Sequence, residues 1–119
     1  MRVNYVIIFV TDMQRSTAFY RDVFGLSPKF DSSNWTEFHT EGATVALHLT
    51  GTAATNEDQD HLPAGGCRPG FGVPDLDEFH LQMVEKGVRC LEEPREVFGA
   101  RLALYADPDG LAISVGEGR

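Results

Sequence analysis

The amino-acid sequence predicts an α+β protein built from two tandem, diverged βαβββ modules. Three observations lead to this. An apolar strand ending in Thr11-Asp12 runs into a helical pattern that stops at Gly25. The same order returns 63 residues on, counted from Asp12 to Asp75, where Phe71-Gly72-Val73 leads through Pro74-Asp75 into a second helical pattern stopping at Gly87. Each Asp-to-Gly span, 13 residues in the first copy and 12 in the second, is followed by three strand-like runs. Shared order across a fixed offset is much less open to coincidence than a lone capped helix.

The first predicted strand is Val3–Val10, and the first helix covers Met13–Phe24. Met13, Thr17, Tyr20 and Phe24 recur at helical spacing with Ala18 between them. Thr11 and Asp12 can accept the orphan amide hydrogens of its first turn, and Gly25 ends it. Strands follow at Ser27–Asp31, Trp35–Thr40 and Thr44–Thr50, separated by turn chemistry at Asp31-Ser32-Ser33-Asn34 and Glu41-Gly42. Residues 51–66 are small and polar, with an acidic Glu57-Asp58-Gln59-Asp60 patch, and read as a linker. Module one therefore spans about 1–50 and module two about 67–119. The second helix carries the apolar stripe Leu76, Phe79, Met83 and Val84. Its strands are Val88–Glu92, Ala100–Ala106 and Leu111–Val115, the last two joined by Asp107-Pro108-Asp109-Gly110, in which Pro presets φ and Gly accepts a positive one. One module is too small for a sufficient core, so the halves are expected to pack together or to pair across a dimer.

With 42% hydrophobic and 24% charged residues, the 119-residue chain has ordinary folded usage, which argues against disorder. The apolar run Tyr5–Val10 is too short for a bilayer span or a signal-peptide core, so a cytoplasmic protein without a membrane partner is expected. Two cysteines, Cys67 and Cys90, form no CxxC pair and are a poor basis for a disulfide framework. Ten basic against eighteen acidic residues give a net charge of −8, which repels a phosphate backbone and excludes nucleic acid as an expected partner. The same field either favours a cationic ligand or serves solubility alone.

The stretch Phe9-Val10-Thr11-Asp12, followed by Ala18-Phe19-Tyr20-Arg21-Asp22-Val23-Phe24-Gly25-Leu26, resembles the opening of the glyoxalase / bleomycin resistance / dioxygenase (vicinal oxygen chelate) superfamily. Tyr105-Ala106-Asp107-Pro108-Asp109-Gly110 and the apolar strand after it resemble the signature of the second module. The resemblance implies that the modules form a curved mixed sheet, a cup with the helices on its convex side, and that a small-molecule ligand, often with a divalent metal, sits inside. It also implies a homodimer. In the metal enzymes of the family the ligands come from the first and last strands of each module. Carried over, those places hold Tyr5, His48, Arg68 and Ser114. Divalent metals need deprotonated donors, usually three or more from protein, and here one position of four offers a good one. The guanidinium of Arg68 would repel a cation. No metal and no other cofactor is therefore expected.

Period-2 geometry sorts the strands. If His48 points into the cup, so do Thr44 and Ala46, with Val45, Leu47 and Leu49 beneath the helix. Tyr5, Ile7 and Phe9 would line the cup with Val6, Ile8 and Val10 behind; Ala112 and Ser114 would face it with Leu111, Ile113 and Val115 behind. Such a floor suits an aromatic or apolar small molecule. Trp35, Glu37 and His39 share a face, either as a stacking platform with a carboxylate for a cation or as a partly exposed edge. Arg101, Ala103 and Tyr105 alternate with Leu102 and Leu104; Arg101 either binds a ligand anion or makes a surface salt bridge, and Tyr105 is counted with the ligand residues. His48 is a hydrogen-bonded lining residue or a general acid–base, without a nucleophile signature elsewhere in the chain.

The residues are thus read first as a metal-free small-molecule-binding protein of sequestration or resistance type, with an aromatic or cationic ligand. Two enzymes are the alternatives. One is a metal-dependent lyase, isomerase or dioxygenase using His48 with donors such as His39 or Glu37. The other works without metal, using His48 with Arg68 or Tyr5.

Overall fold

A computed structural model describes residues 2–51, 64, 67–97 and 99–118. The chain divides into two compact units, Met1–Ala54 and Thr55–Arg119. The expected linker, with its acidic patch, lies outside the described residues except for Gly51 and Ala64.

The first unit runs β1 (Tyr5–Val10), α1 (Met13–Ala18), β2 (Ser27–Asp31), β3 (Trp35–His39) and β4 (Thr44–Leu49). Its sheet has the order β1-β4-β3-β2, with β1 parallel to β4 and the other pairs antiparallel. The second unit runs β5 (Gly70–Val73), α2 (Leu76–Glu85), β6 (Cys90–Val97), β7 (Ala100–Ala106) and β8 (Ala112–Glu117), and its sheet order, β5-β8-β7-β6, repeats the first, again with one parallel pair. Each unit is the βαβββ module that the repeat predicts.

Both helices start as the sequence implies. Asp12 accepts from the Arg15 amide at 3.0 Å and Asp75 from the Glu78 amide at 3.1 Å, each from extended backbone at the N-cap. Both stop at a glycine with positive φ, 73° at Gly25 and 70° at Gly87. Beyond them Leu26 N–H returns to the Tyr20 carbonyl, and Val88 N–H to that of Met83, each at 3.0 Å. The first helix differs from its expected course after Ala18, where Phe19–Val23 form a π-helical turn. Phe24 N–H reaches the Phe19 carbonyl, five residues back. The wider turn brings Phe19 and Phe24 onto one side, with ring centroids 5.4 Å apart and Tyr20 touching both.

Strand faces follow the alternation in the first unit. Ile8, Val10, Phe38, Val45 and Leu47 are buried with Met13 and Tyr20, while Tyr5, Ile7 and Phe9 are exposed. Thr36, also buried, satisfies its hydroxyl on Asp31 Oδ1 at 3.1 Å. In the second unit Leu76, Met83, Ala103, Tyr105, Ile113 and Val115 form the interior. Strand ends shift in several places. Val3 and Asn4 precede β1, though the Asn4 carbonyl still accepts from Thr44 N–H. Leu111 belongs to the turn, its amide bound to Asp107 Oδ1 at 2.9 Å. β6 continues five residues past Glu92 to Val97 because a register irregularity between Glu92 and Arg95 absorbs Pro94, which cannot donate to the ladder.

Tyr105 links fold to pH. Its ring centroid is 5.7 Å from that of Phe79, and its hydroxyl lies 2.8 Å from His80 Nδ1. Burial first, and the neighbouring Cys90 second, push its ionisation well above the usual 10. The folded state therefore holds the proton more tightly than the unfolded one. The resulting stability is fully present below the unfolded value and falls as pH rises beyond it. Urea unfolding between about pH 8 and 11 is expected to show a steeper decline for wild type than for Tyr105→Phe. Equal slopes would mean that Tyr105 does not contribute.

Candidate functional site

The open face of the first sheet is built by register. β1 and β4 align Tyr5 with Thr44, Ile7 with Ala46 and Phe9 with His48; β3 and β4 align Trp35 with His48 and Glu37 with Ala46. Side chains paired in this way share a face, so six of the expected residues, Tyr5, Ile7, Phe9, Trp35, Glu37 and His48, come together on one surface. His39 continues that face at the exposed end of β3.

The rings are in contact. His48 lies between Phe9 and Trp35, with centroids at 5.3 and 5.8 Å. Tyr5 meets Trp35 edge-on at 6.4 Å, across the small, fully buried Ala46. Trp35 Nε1 donates to Glu37 Oε2 at 2.8 Å, which holds the indole and uses one lone pair of the carboxylate. Phe9 is 62% exposed and Tyr5 48%, so much apolar area faces outward. Phe30 joins this face and was not anticipated. A register shift between Pro28 and Phe30 turns it to the side of Glu37, and no alternation in the sequence signals the shift.

At the Tyr5 end of the surface lies a cavity of about 600 Å³, to which Arg2, Asn4, Lys29 and Thr44 also contribute. Lys29 Nζ donates to Thr44 Oγ1 at 2.9 Å and Arg2 Nε to Asn4 Oδ1 at 2.8 Å. A second cavity, about 720 Å³, lies beside the start of α1 among Thr11, Gln14, Arg21 and Ser33.

The remaining expected ligand residues belong to the second unit. Ser114 is half-buried and paired with Gly70 and Leu104; half-buried Arg68 precedes β5. Arg101 and Tyr105 both point to the helix-covered side of their sheet, so Tyr105 is corrected from a lining to a core position, while Arg101 makes the surface salt bridge that was one of its two expected uses. Arg101 binds Asp77 of α2 through both terminal nitrogens, at 2.9 and 3.1 Å, and lies 3.5 Å from Glu117. That pair raises the Arg101 pKa and lowers that of Asp77. Tyr105 is fully buried against Phe79 and His80. The β7–β8 register decides this by aligning Tyr105 with Ile113 and Ala103 with Val115, both core residues.

The residues at the family's metal positions do not fit a divalent cation. A phenol, an imidazole, a guanidinium and a hydroxyl supply one ordinary donor. Among the described residues no three His, Cys, Asp or Glu side chains converge on a point that could hold a metal. His48 is flanked by rings, and among the described residues no carboxylate orients it as a base. Both cysteines are free thiols, and among the described residues no helix is long and apolar enough to cross a membrane.

Residues 2–115 match the family described as the Glyoxalase/Bleomycin resistance protein/Dioxygenase superfamily. The chain belongs to this superfamily. A phenazine antibiotic resistance protein, EhpR of Enterobacter agglomerans, is 30% identical over 115 residues, covering 94% of this chain and 88% of its own length. A solved superfamily member from Sphaerobacter thermophilus DSM 20745 superposes with a TM-score of 0.78 at 25% identity, over 99% of this chain and 98% of that one. A lactoylglutathione lyase from Agrobacterium tumefaciens, with a TM-score of 0.73 at 21% identity over 98% and 92% of the two chains, shares the fold. Superfamily membership accounts for the two-module order; the side chains on the open face have to account for function.

Proposed function

We propose that this superfamily member is a metal-free small-molecule-binding protein of the sequestration or resistance type, whose ligand is a flat aromatic molecule. The ring cluster of Tyr5, Phe9, Trp35 and His48, with the indole held by Glu37, is the observation that supports this reading. Such a surface offers stacking area with few polar handles, which suits retention of a planar ligand better than turnover. A positively charged ligand would also meet Glu37 on this face. The donor set at the metal positions and the relation to a phenazine antibiotic resistance protein favour the same reading. A homodimer belongs to it as well.

Two measurements on the purified protein test it. Elemental analysis after expression with Ni, Zn, Mn and Fe supplied is expected to find less than about a tenth of an equivalent per chain. Titration with phenazine is expected to quench the emission of the single tryptophan, Trp35, and to saturate. Near-stoichiometric metal would overturn the metal-free reading, and unchanged emission up to the solubility limit of phenazine would overturn the aromatic site.

A further inference from the structure

Two cations share one cavity in a chain whose net charge is −8. Arg2 and Lys29 both line the space beside Tyr5, and each spends one donor on a neutral oxygen, of Asn4 and Thr44 respectively. Among the described residues neither makes an ion pair. By contrast, Arg21 pairs with Asp22, Arg95 with Glu92, and Arg101 with Asp77 and Glu117. An ammonium has three N–H donors and a guanidinium five, so most of the hydrogen-bonding capacity of both groups is unspent. With acidic residues nearly twice as frequent as basic ones, two cations on one cavity without a carboxylate partner are a local reversal of the protein's field.

We infer that this cavity seats an anionic group, a carboxylate or phosphate, carried by an aromatic ligand whose ring lies against Tyr5 and Trp35. Tyr5 joins the two parts: it lines the cavity and its ring meets that of Trp35. Thr44, which fixes Lys29, is the register partner of Tyr5 across β1 and β4, so the ammonium is anchored beside the aromatic face. A ligand that stacks at Trp35 is thus within one small molecule's length of both cations. The inference rests on the aromatic-face reading above and narrows its ligand class to aromatic acids.

Calorimetric titration at constant ionic strength with 2-naphthoate, 2-naphthyl phosphate and the neutral 2-naphthylmethanol tests it. At least one of the anions is expected to bind about tenfold more tightly than the alcohol, the scale set by two solvent-screened charge-assisted contacts. Whichever anion is favoured identifies the group as carboxylate or phosphate. In the Arg2→Gln/Lys29→Met variant, both sites being exposed, that preference is expected to fall to about one with the alcohol's affinity kept. Anions that bind no better than the alcohol, or a preference that survives the double substitution, would overturn the inference and leave the aromatic face standing. If none of the three compounds binds, the aromatic-face reading falls and the inference falls with it.

Discussion

Replacing Trp35 with alanine is expected to weaken phenazine binding by about 10- to 100-fold, the range given by loss of one aromatic stacking partner. Trp35 is central to the candidate site: it touches Tyr5 on one side and His48 on the other, and its N–H is tied to Glu37. Because the side chain is only half-buried and lies on the open face, its removal should leave the core intact. Trp35→Phe keeps a ring but gives up the bond to Glu37, so an intermediate loss is expected. Calorimetry is the suitable measurement, since both variants lack the only tryptophan. Affinity for phenazine within twofold of wild type in Trp35→Ala would place the ligand elsewhere on the molecule.

The second large effect concerns stability. Phe38→Ala is expected to cost about 3–5 kcal/mol, the usual range for truncating a fully buried phenylalanine. Phe38 has no exposed surface, projects from the interior strand β3, and lies 6.3 Å from the equally buried Tyr20. Neighbouring strands on both sides limit how far the gap can close, so the lost contacts come with a cavity. Urea unfolding followed by circular dichroism should show a lower midpoint with an unchanged slope. A loss below about 1 kcal/mol would mean that the aromatic cluster around the π-helical turn repacks to fill the space.

Much of the fold is written in short-range chemistry. Asp12 and Asp75 mark helix starts because an extended residue with a carboxylate satisfies amides three positions on, a geometry confined to a few residues. Gly25 and Gly87 mark the ends because a positive φ is costly for side chains with a Cβ. The open face of β1 is legible for the same reason. Tyr5, Ile7 and Phe9 alternate with Val6, Ile8 and Val10, and only one set is covered. That logic fails on β7, where Ala103 to Ala106 are all buried. A stretch buried on both faces carries no alternation from which to choose a side, so Tyr105 could not be assigned from sequence.

The sequence by itself determined the module repeat, the helix caps, and which residues share a face within one strand, Tyr5, Ile7 and Phe9 on the first and Trp35 and Glu37 on the third, since each depends on dihedral preferences or side-chain direction within one element. Only the tertiary structure decided which groups meet between elements. The register shift in β2 turned Phe30 to the open face, and the β7–β8 register sent Arg101 to Asp77 and Tyr105 to His80. Pairing of β1 with β4 brought Thr44, and Lys29 with it, beside Tyr5 and Arg2. These contacts join residues far apart in the chain, and their partners are chosen by register and by which face packs on a helix. Neither leaves a local pattern in the order of the amino acids.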